Sequence, residues 1–313
     1  MLSSMTQELR IVFAGTPENS ATTLSELHTS GANVVGVLTR EDAKVGKAKD
    51  VSASPVGKVA EQLGLVVRKT NSMDAETLEW LKSLDADLGV VVAYGTIFRA
   101  DVLEIPRLGW INLHYSLLPE LPGPAPVQHA LLRGLAATGV TVFRLDEGID
   151  TGPIISQCQV AIERSDNAAT LLGKMTGEGS RLLRDVVLNG ESSVLSTVAQ
   201  PSGEDTFSAF KPSRAFARLD FNSTAESLAN KVRAMNPEPM AWFEVNGINI
   251  RVLSAKVVDE ATALSQAQIL QRDLVVGCQE GSLVLELVQP AGKNVMSGAD
   301  WFRGLRVEKL ELS

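Results

Sequence analysis

Six consecutive residues, Leu88–Ala93 (LGVVVA), carry no polar side chain. A strand with one wet face would alternate, so an unbroken β-branched run of this length fits a strand covered on both faces. Such strands belong to parallel sheets, whose neighbours are reached by helical crossovers. The first half of the chain supplies those parts. Arg10–Ala14 (RIVFA) is a short apolar run ended by Gly15-Thr16-Pro17, and residues 18–30 then carry Ala21, Leu24 and Leu27 on one helical face. Asn33–Thr39 reads as the next strand. Ser54 and Pro55 open a helix as N-cap and first-turn proline, with Val56, Val59, Ala60 and Leu63 inward. Asp74–Leu84 turns Leu78, Leu81 and Leu84 to one side. Trp110–Leu113 and Val140–Leu145 are further strands, and Ala168–Val187 is a closing helix. The expected fold is α/β: a mostly parallel, twisted sheet with helices on both faces. The first strand is followed by A-G-T-P-E-N, so the G-x-G-x-x-G dinucleotide fingerprint is absent.

After residue 189 the character changes. Residues 190–205 are rich in Ser and Gly and read as a linker. Thr224–Met235 is a helix. Met240–Val245, Ile248–Val258, Leu274–Val276 and Leu283–Val288 are short strands, with Asn246-Gly247 as a hairpin turn. The expected division is a domain over 1–189, a linker over 190–205, and a smaller OB-like β-barrel domain over 206–313.

Several classes drop out on composition. Cys158 and Cys278 lack metal-ligand spacing and make no disulfide framework, and three histidines are too few for a His/Cys zinc cluster. No metal is expected. The N-terminus lacks the basic start and apolar run of a secretory signal, and no window reaches 18 uninterrupted apolar residues. A cytoplasmic protein with no membrane contact is expected. The net charge of −8 speaks against a small basic nucleic-acid module, DNA-binding ones included.

The chemistry concentrates in Ile111–Pro119 (INLHYSLLP). Alternation puts Asn112 and His114 on one side at the end of a strand, where open α/β sheets bind ligands. The loop Asp146–Pro153 (DEGIDTGP) follows the VTVFRL strand and holds three carboxylates. If the two strands are neighbours, one of these carboxylates can meet His114. A carboxamide, an imidazole and a carboxylate together suit acyl or formyl transfer: the first two stabilise an oxyanion, and the third orients the imidazole and handles a proton. Ser116 has no G-x-S-x-G context, so direct attack by a substrate amine is expected rather than a covalent enzyme intermediate.

NLHYSLLP with DEGIDTGPI resembles the folate-dependent formyltransferases. RIVFAGTPE, SPVGKVAEQLGL at 54–65, DLGVVVAYG at 87–95 and PAPVQHALLRG at 124–134 resemble the branch that acts on methionyl-tRNA, as do the later ARLDF, VRAMNPEPMAW and LVQPAGKNVM. The resemblance implies a Rossmann-like formyltransferase fold and a catalytic trio of Asn112, His114 and Asp150. It implies 10-formyltetrahydrofolate as formyl donor, lined by Ser116, Leu117, Leu118 and Pro119, with Tyr94, Gly95, Asp146 and Gly148 nearby. It implies initiator methionyl-tRNA as acceptor, met by the loop at 40–53 through Lys44, Lys47 and Lys49, and by Lys211 and Arg214 of the second domain. A monomer is expected. This sequence departs from the family pattern at Glu120-Leu121-Pro122, where a basic and aromatic stretch is usual, and at Ala43, where an arginine is common.

Two other readings use the same residues: formyl transfer or hydrolysis on a small molecule, and a tRNA- or folate-binding protein without turnover. Outside this site, His28 and His129 read as surface or capping residues, both cysteines as buried small residues, and Trp242 and Trp301 as barrel core. Residues 1–205 hold 17 Lys and Arg against 25 Asp and Glu, whereas residues 206–313 hold 12 of each. Any tRNA face therefore needs clustered cations, for which Lys211, Arg214, Arg218, Lys231, Arg233 and Lys293 are the candidates.

Overall fold

The computed structural model describes residues 8–45, 50–201, 208–260 and 262–312. The elements run β1 (Arg10–Gly15), α1 (Glu18–Thr29), β2 (Asn33–Thr39), β3 (Ala43–Val45), β4 (Asp50–Ser52), α2 (Pro55–Gln62), β5 (Val67–Lys69), α3 (Ala75–Ser83), β6 (Leu88–Val92), α4 (Ala100–Leu103) and β7 (Trp110–His114). Then come α5 (Pro126–Leu132), β8 (Ala137–Arg144), β9 (Ile154–Ala161), α6 (Ala168–Leu188) and α7 (Glu191–Leu195). Ser54 caps α2 by accepting from the Gly57 amide, as the sequence predicts, whereas Asp74, read as the first helical residue, stands one position earlier as the cap of α3 and accepts from the Thr77 amide.

The first sheet has the order β5-β2-β1-β6-β7-β8-β9. From β5 to β7 every pairing is parallel, and all five residues of β6 are buried. The sheet is mixed, because β8 runs antiparallel to β7 and sets Ile111 opposite Arg144 and His114 opposite Thr141. Beside it, Leu38, Val91, Tyr94, Phe98, Val102 and Trp110 form one apolar cluster. Trp110 lies so close over β6 that a Cβ on Gly89 would fall 2.1 Å from its ring.

The later elements are α8 (Ala225–Met235), β10 (Ala241–Val245), β11 (Ile248–Val258), β12 (Gln266–Leu270), β13 (Asp273–Gly277), β14 (Ser282–Pro290), β15 (Met296–Ser297), α9 (Gly298–Gly304) and β16 (Lys309–Glu311). They build a curled antiparallel sheet of order β10-β11-β14-β13-β12-β16, an OB-like arrangement. Asn246 and Gly247 both have positive φ, +49° and +78°, as the tight β10–β11 turn requires. Phe221, Phe243 and Trp301 stack edge-to-face in its core.

By contacts the chain forms two units. The first comprises 1–123, 138–160 and 172–208, and the second comprises 124–137, 161–171 and 209–313. The helix α5 thus belongs with α8. His129, expected at the surface, is 3% exposed. Its ring bonds the Phe210 carbonyl at 2.9 Å and meets the Phe210 ring, and burial lowers its pKa. His28 is half-buried in the last turn of α1. Cys278 is buried, whereas Cys158, expected to be buried, is part-exposed because β9 ends the sheet order. No helix among the described residues is long and apolar enough to cross a membrane.

Candidate functional site

The site is built on the end of β7. Its parallel pairing with β6 sets Asn112 beside Val91, so the segments following both strands leave the sheet at the same edge. Asn112 is half-buried; His114, two residues on, is 6% exposed. Because β8 is antiparallel, the loop 146–152 starts beside the opposite end of β7 and runs back along that strand. Its carboxylate Asp150 Oδ2 ends 3.6 Å from His114 Nδ1.

That return path is held at each step. Asp146 Oδ1 accepts from the Gly148 amide at 3.0 Å and from the Thr151 hydroxyl at 2.8 Å, closing a turn. A Cβ on Gly148 would fall 1.9 Å from Thr151 Oγ1 and displace that hydroxyl, and one on Gly152 would fall 1.8 Å from the Arg144 carbonyl oxygen, where backbone cannot give way. Asp150 has φ +56°, a left-handed conformation that Asp tolerates better than most residues. Its Oδ2 accepts from the Gly123 amide at 2.7 Å, and Gln200 holds the carbonyls of Asp150 and Gly152 at 2.7 and 2.8 Å.

The segment after His114 is equally fixed. Thr141, opposite His114 in the register, donates to the Ser116 carbonyl at 2.6 Å and accepts from the Leu118 amide at 3.1 Å. Gln157 donates to Thr141 and to the Leu118 carbonyl, both at 2.9 Å, and the Leu118–Pro119 bond is cis. Leu117 and Pro119 are half-exposed, while Leu118 and Ser116 are buried. Tyr94 is 1% exposed. Its ring lies in the β6 cluster, its hydroxyl donates to the Thr70 carbonyl at 3.0 Å, and burial pushes its pKa up to about 12. What Tyr94 and Gly95 offer at the sheet edge is backbone, and the Arg40 guanidinium already bonds both of their carbonyls.

The base of the loop at 40–53 is pinned by that arginine, by Glu41 on Asn71 at 2.9 Å, and by Asp42 on Lys69 at 3.0 Å. Hydrogen bonds that its ammonium donates to Glu61 and Asp42 raise the Lys69 pKa. Lys44 is exposed on β3, whereas Lys47 and Lys49 lie outside the described residues. In the second unit, Arg214 and Arg218 stand 5.4 and 5.8 Å from the Trp242 ring centre, and both are exposed. Lys231 lies 5.0 Å from the Phe216 ring and donates to the Arg218 carbonyl. Arg233 departs from the expected face: its guanidinium binds the carbonyls of Glu163 and Asp166 and the Asn230 side chain. Trp242, expected in the barrel core, is half-buried under the two arginines. Lys211 and Lys293 are exposed.

Sequence reasoning assigns no role to Gly123, Thr141, Gln157 or Gln200, and marks Leu121 only as part of a departure from the family pattern. All five act through a backbone group or on one, which leaves little mark on side-chain pattern. Thr141 could have been found as the polar residue between Val140 and Val142 in mid-strand. Among the described residues, no three His, Cys, Asp or Glu side chains gather as a metal-binding group.

Residues 9–187 match the formyl transferase family, and residues 211–306 match the formyl transferase C-terminal domain. A methionyl-tRNA formyltransferase of Acidothermus cellulolyticus is 40% identical over 318 residues, covering 96% of this chain and 98% of that protein. That of Renibacterium salmoninarum is 37% identical over 299 residues, covering 95% and 97%. The solved N-formyltransferase of Helicobacter canadensis, in complex with folinic acid and dTDP-3-aminofucose, has a TM-score of 0.65 at 18% identity, over 88% of this chain and 98% of that one. At such identity the likeness concerns the fold.

Proposed function

The chain belongs to the methionyl-tRNA formyltransferase family, and we propose that it moves the formyl group of 10-formyltetrahydrofolate onto the α-amine of methionine carried by initiator tRNA, for translation initiation. The observation that carries the site assignment is the approach of His114 Nδ1 and Asp150 Oδ2 to 3.6 Å, on the strand end that also bears Asn112. The donor supplies a formyl carbon already activated on nitrogen. Attack by the amine puts negative charge on the formyl oxygen, which the Asn112 amide and a protonated His114 would answer with N–H groups. Asp150 orients the imidazole and takes part in moving the proton that the amine loses to the donor nitrogen, which leaves as tetrahydrofolate with the electron pair of the broken C–N bond. Its bonds from Gly123 and Gln200 fix it before substrate arrives, which is where preorganised charge gains its effect.

The donor would lie along the edge made by Leu117–Pro119, the Tyr94–Gly95 backbone, and the turn of Asp146 and Gly148. Half-exposed Leu117 and Pro119 beside backbone polar groups and carboxylates suit a flat heteroaromatic head with hydrogen-bonding edges. For tRNA the support is charge: Lys44 on the first unit, and Lys211, Arg214 and Arg218 on the second. These substrates place the work in the cytoplasm. One copy suffices for the proposed trio, so a monomer is expected by light scattering. The test is formyl transfer assayed with charged initiator tRNA, small amines and water as competing acceptors. Formylated Met-tRNA is the expected product; transfer to the small amine or to water alone would overturn the reading.

A further inference from the structure

His114 makes two contacts through its two ring nitrogens. Nε2 lies 3.1 Å from the Leu121 carbonyl oxygen, and Nδ1 faces Asp150 Oδ2 at 3.6 Å. A carbonyl oxygen only accepts, so the nitrogen that bonds it carries the proton. In the neutral ring the lone pair is then on Nδ1. The Leu121 carbonyl is no loose acceptor. Leu121 is 2% exposed and has φ +54°, a left-handed conformation that non-glycine residues rarely adopt. Ser116, 0% exposed, holds that turn from inside: its hydroxyl donates to the Glu120 carbonyl at 2.5 Å and lies 3.4 Å from the Leu121 carbonyl.

We propose that Ser116 and the Leu121 carbonyl are positioning groups that keep the proton of neutral His114 on Nε2, which leaves Nδ1, beside Asp150, as the nitrogen that meets the reacting atoms. The proposal rests on the catalytic reading of His114. It gives Ser116 a different task from the donor contact that the sequence suggests, because its hydroxyl is buried and engaged within its own turn. It also separates the two ends of the ring. Gain or loss of a proton occurs at Nδ1, next to Asp150, while the Nε2 bond to Leu121 persists in both states. The ring can therefore change charge without changing orientation.

The test is NMR of the ligand-free chain labelled with 15N-histidine, above the pH at which the ring titrates. The His114 signals are identified by their loss in His114→Gln. A pyrrole-type Nε2 and a pyridine-type Nδ1 are expected. Ser116→Ala is expected to populate both tautomers and to lower kcat roughly tenfold, with the KM for the formyl donor unchanged. A wild-type spectrum with the proton on Nδ1 overturns the proposal. So does a Ser116→Ala protein that keeps either the single tautomer or the wild-type kcat, or one whose loss is confined to donor KM. If Ser116→Ala does not fold, the wild-type spectrum decides alone. That spectrum needs no substrate, so failure of the formyl-transfer reading would show in the acceptor assay and not here.

Discussion

Two polar clusters in this molecule are built on opposite principles. Around His114, nearly every polar atom is tied to backbone: the ring to the Leu121 carbonyl, Asp150 to the Gly123 amide, and Gln200 to two loop carbonyls. Around Trp242, exposed Arg214 and Arg218 rest over a ring face, and Arg214 adds one 3.4 Å contact to Asn249. The first arrangement spends rigid geometry on two side chains. The second sets cations at the surface, against an aromatic face. A reacting centre needs donors fixed before charge develops. A phosphate backbone is drawn by cation density, and tolerates motion of each cation. The contrast matches the roles proposed for them, chemistry for one cluster and a polyanion for the other.

Substitutions can break that contrast at either end. Asp150→Asn keeps shape and removes the charge beside His114; formyl transfer is expected to fall by roughly 100-fold or more, with the melting temperature little changed. Retained turnover would take Asp150 out of the chemistry. Gly152→Ala drives a methyl into the Arg144 carbonyl, so the loop must shift. It is expected to cost about 1–3 kcal/mol of stability in denaturant titration, and to lower kcat more than it raises KM for tRNA. Reversing Arg214 and Arg218 to Glu should raise KM for tRNA about tenfold and flatten its salt dependence, leaving donor KM alone. An unchanged salt slope would assign the cations a local role only. Tyr94→Phe, far from either principle, should change no rate. Tyr94 ionises at about 12 when folded against 10.0 when free, so stability is expected to fall as pH rises from 10.0 towards 12. The phenylalanine protein, measured over the same range, should lose less.

The scaffold was legible where pattern and burial coincide. The apolar run at 88–92, the Ser54 cap and the Asn246-Gly247 turn each state their own geometry, and each stands where expected. The short strand β5 was missed because three residues carry no period, and β9 because its mixed sequence lies at the end of the sheet order. The meeting of His114 with Asp150 was foreseen only on condition that the strands adjoin; their antiparallel pairing, and the loop's return along β7, lay beyond periodicity. Arg233 was read as surface charge because a cation on a helix usually is. Its three acceptors come from residues 163, 166 and 230, a convergence that no local window contains.

The segments shared between the two contact units have a consequence for how this chain is made. In chain order it passes from one unit to the other five times, at 123, 137, 160, 171 and 208. Synthesis delivers α5 well before α8, the helix it packs against, and His129 well before the Phe210 carbonyl that satisfies its ring. The second unit cannot close until nearly the last strand has left the ribosome. The stretch ending at Gly123 already contains Asn112 and His114, but it must wait for 138–160 to bring Thr141 and Asp150. Contacts of such long sequence separation slow folding and lengthen the exposure of apolar faces. A ribosome stalled near residue 189 would therefore display α5 without its partner, as a surface for chaperones to bind.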